Sequence, residues 1–231
     1  MFMNKVMIIT WSDCTEDDAY LSRLHLLSDI VEARSSIRTV RLAFSDSGVN
    51  DAVSRQMGRT PRPNLMASIW SENLDDALEV YEDWTQASDK SSIFGVAEKE
   101  PLPNKKYPAE AGERVHGFCQ VALLQRPERL MKEEWLSIWQ QSHTQVAIET
   151  QSTFGYRQNL IEAVYGNNDY SLDAIVEENF PPEAMISDHA FYDAEDDIEL
   201  GKRQERMMTS CARFIDFDRI DVVPMSEYLV K

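Results

Sequence analysis

The feature that most constrains this chain is an order of segments that occurs twice. Lys5 to Trp11 (KVMIITW) is rich in β-branched residues and reads as a buried strand. Thr15 offers a helix N-cap, and Glu16, Asp17 and Asp18 suit the positive end of the helix dipole. Tyr20, Leu24, Leu27 and Val31 then fall on one helical stripe. Ile37 to Phe44 alternates as a strand, and the polar stretch with Gly48, Gly58, Pro61 and Pro63 reads as a loop. Leu65 to Trp70 is a third strand, Asn73 caps a helix carrying Leu74, Leu78, Tyr81 and Trp84, and Ile93 to Ala97 is a fourth strand. Strand, helix, strand, strand, helix, strand is the split βαβ order.

After a turn-rich stretch, PLPNKKYP, the order restarts. His116 to Leu124 is a strand, and Met131 to Thr150 has a helical period with Trp135, Ile138, Trp139, Ser142 and Val146 on one face. Phe154 to Ile161 and Leu172 to Phe180 are strands, and Pro181 and Pro182 sit where a helix start tolerates proline. A helix from about Ile198 to Phe214 carries Leu200, Met207, Met208 and Cys211, and Ile220 to Val223 is the last strand. The expectation is an α+β chain of two fused ferredoxin-like halves, residues 1–100 and 115–231, joined by a linker over 101–114. A four-stranded antiparallel sheet with helices on one face leaves its other face and its edges uncovered. Packing the two sheets together as an internal pseudo-dimer buries those faces, and frees one half to carry a site while the other serves as scaffold.

Charge narrows the function classes. The net charge is −17, and no Lys or Arg occurs between Gln158 and Gly201. Such a surface repels phosphate backbones and anionic lipid heads, so nucleic-acid and membrane-surface roles are disfavoured. The acids from Asp193 to Glu199 read as a solvated face, since AEDDIELG does not alternate oxygen ligands around a Gly turn as a calcium loop does. No apolar run reaches the length of a membrane span, and the N-terminal residues lack signal-peptide character. Cys14, Cys119 and Cys211 are scattered and odd in number, which points to reduced thiols in a cytoplasmic protein. No Walker loop, GxGxxG or GxSxG is present, so nucleotide, dinucleotide and elbow-serine enzymes are disfavoured.

The stretch QRPERLMKEEWLSIWQQSHTQVAIETQSTFGYRQNLI, from Gln125 onward, resembles the EthD family. The matching features are a turn with Pro, a helix with an acidic start, Trp139 with His143 four residues on, and YRQN (Tyr156 to Asn159) on the next strand. DAIVEE (Asp173 to Glu178) follows as the family's next strand, and the likeness covers about Val115 to Phe180. Sliding VRLAF onto YRQNL sets Leu27 opposite His143 and Arg23 opposite Trp139, so the first half lacks the motif. The resemblance implies a dimeric α/β-barrel type of fold and no cofactor. The wider superfamily includes cofactor-independent monooxygenases, polyketide cyclases and dehydratases, and fold alone does not choose among them.

His143 is the first candidate catalytic residue. It shares an apolar helix face with Trp135 and Trp139, where scarce solvent keeps an imidazole neutral, as a base must be. The plainer reading is a core histidine bonded to backbone or carboxylate. Tyr156 and Glu177 are its expected partners, Tyr156 to hold a developing oxyanion and Glu177 to orient His143 or carry a proton. Trp139, His116 and Gln158 are expected to touch substrate, and four histidines without ligand spacing give no metal site. The expected activity is proton transfer on a small apolar aromatic or carbonyl metabolite: dehydration, cyclisation or isomerisation, with oxygenation of a phenol as a variant. The rival is a non-catalytic protein that sequesters such a metabolite. Further homodimerisation stays open.

Overall fold

The computed structural model describes residues 3–13, 15–85, 89–166 and 170–231; Cys14 lies outside them. The first half runs β1 (Asn4–Trp11), α1 (Asp17–Glu32), β2 (Ile37–Phe44), β3 (Leu65–Ser71), α2 (Leu74–Trp84) and β4 (Lys90–Leu102). The second runs β5 (Phe118–Leu124), α3 (Lys132–Leu136), a π-helical segment (Ser137–His143), α4 (Thr144–Thr150), β6 (Gly155–Tyr165), β7 (Ala174–Phe180), α5 (Asp188–Phe191), α6 (Asp197–Cys211) and β8 (Ile220–Leu229). All eight strands pair antiparallel in one closed barrel, in the order β1-β3-β2-β8-β5-β7-β6-β4. Within it, β1 to β4 pair as 4-1-3-2 and β5 to β8 as 6-7-5-8, the same order in each half.

The sheets therefore meet edge to edge as well as face to face. β4 pairs with β6, and β2 with β8, so the exposed edges expected of two stacked sheets are closed by hydrogen bonds. Side chains alternate between the barrel lumen and the helix-covered outside. Outward strand residues of the first half, among them Val6, Ile8 and Ile69, pack with Leu24 and Leu27 of α1 and Trp84 of α2. Lumen residues from both halves form a second apolar cluster, including Met7, Ile9, Phe94, Val121, Ile175 and Met225.

One end of the lumen is charged. Lys5 Nζ donates to Glu98 at 2.6 Å, Asn159 at 2.7 Å and Glu177 at 3.1 Å. Arg157 Nη2 donates to Glu177 at 3.1 Å and to Glu227 at 2.5 Å, and Arg41 reaches the same Glu227 oxygen at 2.9 Å. Such buried charges persist only when paired and hydrogen-bonded.

Several boundaries differ from the sequence reading. β4 extends to Leu102, because it serves β1 on one side and β6 on the other. β8 continues to Leu229 for the same reason, pairing with β5 and then β2. The stretch read as a loop contains a 3-10 segment, Ser47–Arg55, whose Val49 and Ala52 pack on Phe118, Phe180 and Phe191 of the second half. The single helix expected over 131–150 is interrupted by the π-helical segment, where Thr144 N–H bonds the Trp139 carbonyl five residues back. That extra residue rotates the buried face, so Thr144, Ala147 and Thr150 point inward after His143 and Val146 does not. His116 precedes β5 rather than opening it. Of the acidic run, Asp196 accepts from Glu199 N–H as the N-cap of α6, and Glu199 pairs with Arg203.

Candidate functional site

The helix layer of the second half does not fill the space over its sheet. A cavity of about 210 Å³ lies between β5, β7 and β8 and the helices, walled by apolar groups such as Ala122, Val176, Trp139, Met207 and Phe214. In the first half the corresponding layer is occupied: Leu27 is fully buried, and Arg23 donates to the Trp84 carbonyl at 2.7 Å and pairs with Asp89.

Besides Arg55, Tyr192 and Cys211, three ionisable side chains reach the cavity wall: His143 from the π-helical segment, Tyr156 from β6 and Glu178 from β7. Tyr156 and Glu178 are register partners across the β6–β7 ladder, and Glu178 is also the partner of Gln120 on β5. Register partners stand with Cβ atoms about 5 Å apart on one face of the sheet. Glu178 is 8% exposed, and no protein group among the described residues hydrogen-bonds its carboxyl. Burial alone raises it from its ordinary 4.5 to about 7.

The other two are held in fixed states. His143 Nδ1 lies 3.0 Å from Ser210 Oγ, and its ring packs 4.6 Å from Phe214. Burial, reinforced by the nearby Arg213 charge, lowers it to about 4, so the imidazole is neutral across the physiological range. The Tyr156 hydroxyl accepts from Trp139 Nε1 at 3.3 Å and Gln158 Nε2 at 3.1 Å. Burial, with Glu178 adding to it, pushes this phenol well above its ordinary value and keeps it protonated. The Gln158 amide also donates to Thr144 Oγ1 at 2.7 Å, and Thr144 in turn donates to the Trp139 carbonyl at 3.0 Å. The π-helical turn, the tyrosine and the glutamine are thus tied into one polar knot behind an apolar cavity.

The structure brings together His143, Tyr156 and Trp139 of the expected residues, with Gln158 buried behind them. It does not bring Glu177. That side chain faces the lumen, where, against the raising effect of burial, Arg157 and Lys5 hold its carboxyl far below the usual range. The neighbour Glu178 takes the outward position, since adjacent strand residues point to opposite faces. His116 is exposed and stacks on Tyr107 at 4.0 Å, away from the cavity. His189 sits 3.1 Å from Asp197 near the start of α6. Sequence reasoning missed Glu178, Arg55 and Met57. The last two belong to the first half, and the cavity wall includes both.

Among the described residues, no cluster of three or more His, Cys, Asp or Glu side chains could share a metal ion. No helix among them is long and apolar enough to cross a membrane.

Neither protein-family models nor curated protein sequences give a match to this chain. Solved structures do. An anthrone oxidase-like protein is 7% identical over 98% of this chain and 93% of its own, with a TM-score of 0.52. A proposed monooxygenase from Lactobacillus acidophilus NCFM is 9% identical over 100% and 97%, with a TM-score of 0.50. A chlorite dismutase variant from Candidatus Nitrospira defluvii is 14% identical over 97% and 91%, with a TM-score of 0.48. At these identities the likeness is one of fold, and the fold is an α+β closed barrel of eight antiparallel strands.

Proposed function

We propose that the chain binds a small, largely apolar aromatic or carbonyl compound in the second-half cavity and transfers a proton on it. The observation that carries this reading is the Glu178 carboxyl, buried on an apolar cavity wall without a protein hydrogen-bond partner and beside Tyr156. A charged carboxylate so placed is costly unless a ligand or a proton compensates it. Near neutral pH it exchanges a proton readily, which suits a general acid or base.

In the reaction proposed, Glu178 removes a proton α to a carbonyl and the electron pair moves onto the carbonyl oxygen. Tyr156, kept protonated, donates to that oxygen. Returning the proton to a different carbon gives isomerisation, and expulsion of a β-hydroxyl as water gives dehydration. His143, neutral and bonded to Ser210, is too weak a base to compete with Glu178 and serves to place the substrate. No cofactor enters this scheme.

The same reading treats residues 1–100 and 115–231 as two ferredoxin-like repeats with 101–114 between them. Their matching strand order supports that, and the EthD resemblance of Val115 to Phe180 coincides with the half that holds the cavity. The fold neighbours described as anthrone oxidase-like and as a monooxygenase put phenols, with dioxygen as oxidant, on the substrate panel.

The test is deuterium exchange at the α-carbon of aryl ketones and phenols in D2O, followed by NMR, with ligand binding measured alongside. Glu178→Gln is expected to slow exchange by about 100-fold or more while binding persists. Exchange at the wild-type rate in that variant would remove Glu178 from the chemistry. Binding without any exchange in the wild type would leave the sequestering protein as the better description.

A further inference from the structure

The wall of the cavity is not made by the second half alone. The 3-10 segment Ser47–Arg55 crosses over from the first half, and beyond it Met57 forms a two-way backbone bridge with Val222 of β8. Gly58, at φ +97°, lets the chain lie that close: a Cβ there would stand 2.4 Å from the Ile220 carbonyl. This crossing brings the Arg55 side chain, only 10% exposed, to the cavity.

Two of the three Arg55 nitrogens are occupied. Nε donates to the Ala184 carbonyl at 2.9 Å and Nη1 to Asp188 at 2.6 Å, while the guanidinium lies 4.5 Å from the Phe191 ring centre. Nη2 is buried and has no hydrogen-bond partner. A buried guanidinium N–H left unmatched is costly, and acceptors that match it best are anionic oxygens. Asp188 is half exposed, so it competes with water for its share of the charge. Arg55 lines the cavity, so a group bound there is the acceptor this site offers to Nη2.

We infer that the compound bound in this cavity is an aromatic or otherwise apolar acid, whose carboxylate or equivalent anionic oxygen is received by Arg55 Nη2 while its apolar body lies against Trp139 and Phe214. The inference rests on the cavity being a ligand site, as proposed above, and adds the ligand's charge and orientation. It also gives the first half a direct part in recognition. Arg55 is a binding residue here and takes no part in proton transfer.

A matched pair of probes tests it: 2-naphthoate and 2-acetylnaphthalene, nearly equal in shape and differing in charge. Titration of the full chain is followed by tryptophan fluorescence and by ligand-observed NMR. The wild type is expected to bind 2-naphthoate about ten-fold or more tightly than the ketone. Arg55→Met is expected to abolish that preference by weakening 2-naphthoate far more than the ketone, and Arg55→Lys to recover part of it. Because the preference is read first in the wild type, a variant that fails to fold does not remove the test. Equal affinities of the wild type for both probes would overturn the anionic assignment and leave the cavity as a site for neutral ligands. Binding of neither probe would overturn the ligand site itself, and this inference with it.

Discussion

Replacing Glu178 by Gln should change how stability depends on pH in a defined direction. In the folded chain the carboxyl is raised from 4.5 to about 7 by burial. At about 1.4 kcal/mol per pH unit, that difference corresponds to about 3 kcal/mol. Below pH 4.5 both folded and unfolded chains hold the proton, and the contribution is fully present. Between 4.5 and 7 the unfolded chain releases it while the folded chain keeps it, so stability falls as pH rises. Above 7 both are ionised and the loss is complete. Gln has nothing to release, so the variant lacks this decline, while all other groups titrate alike in both proteins. Urea denaturation of both proteins at several pH values from 4 to 8.5 measures the difference directly. Relative to the variant, the wild type should lose about 3 kcal/mol across that window. A difference that stays constant with pH would mean that Glu178 is hydrated or partnered in the folded chain, and the cavity argument would lose its basis.

Two further outcomes follow from the same electrostatics. His143, lowered to about 4, should show no ring titration by NMR between pH 5.5 and 8; its stabilising effect, present above 6.5, should be lost as pH falls toward 4, and His143→Gln should remove that acid limb. Arg157→Met should leave Glu177 and Glu227 facing each other without their shared cation, and should cost about 3 to 5 kcal/mol by urea denaturation. Ligand affinity in the cavity should hardly change in that variant, because the charged lumen and the cavity lie on opposite faces of β7.

Much of the architecture is legible in the sequence because most strands and helices bury one face. Ile37 to Phe44 and the Tyr20, Leu24, Leu27, Val31 stripe are found as read. The site is less legible, for two reasons that residues make plain. Every residue of β7 from Ala174 to Phe180 is buried, so no alternation tells Glu177 from Glu178. The available cue is register: Tyr156 and Gln158 share a face, and the residues opposite them are Glu178 and Val176. The π-helical turn at Ser137–His143 is likewise hidden, since a repeat of 3.6 residues assigns Val146 to the buried face. Arg55 was out of reach because its neighbours are polar and its packing partners lie more than a hundred residues away.

The closed ring has two joints of unequal strength. β4 and β6 are laced through eight register pairs, whereas β2 and β8 share four. The shorter joint resembles the weaker of two clasps on a belt, and the Met57–Val222 bridge is a stitch sewn across the strap beside it. If the ring breathes there, the stitch is strained too, and Arg55 and Met57 move off β8 together. Loosening of the barrel and uncovering of the cavity would then be one motion. A chain that joined its halves more firmly at β2 and β8 would gain rigidity and slow the entry of whatever the cavity receives.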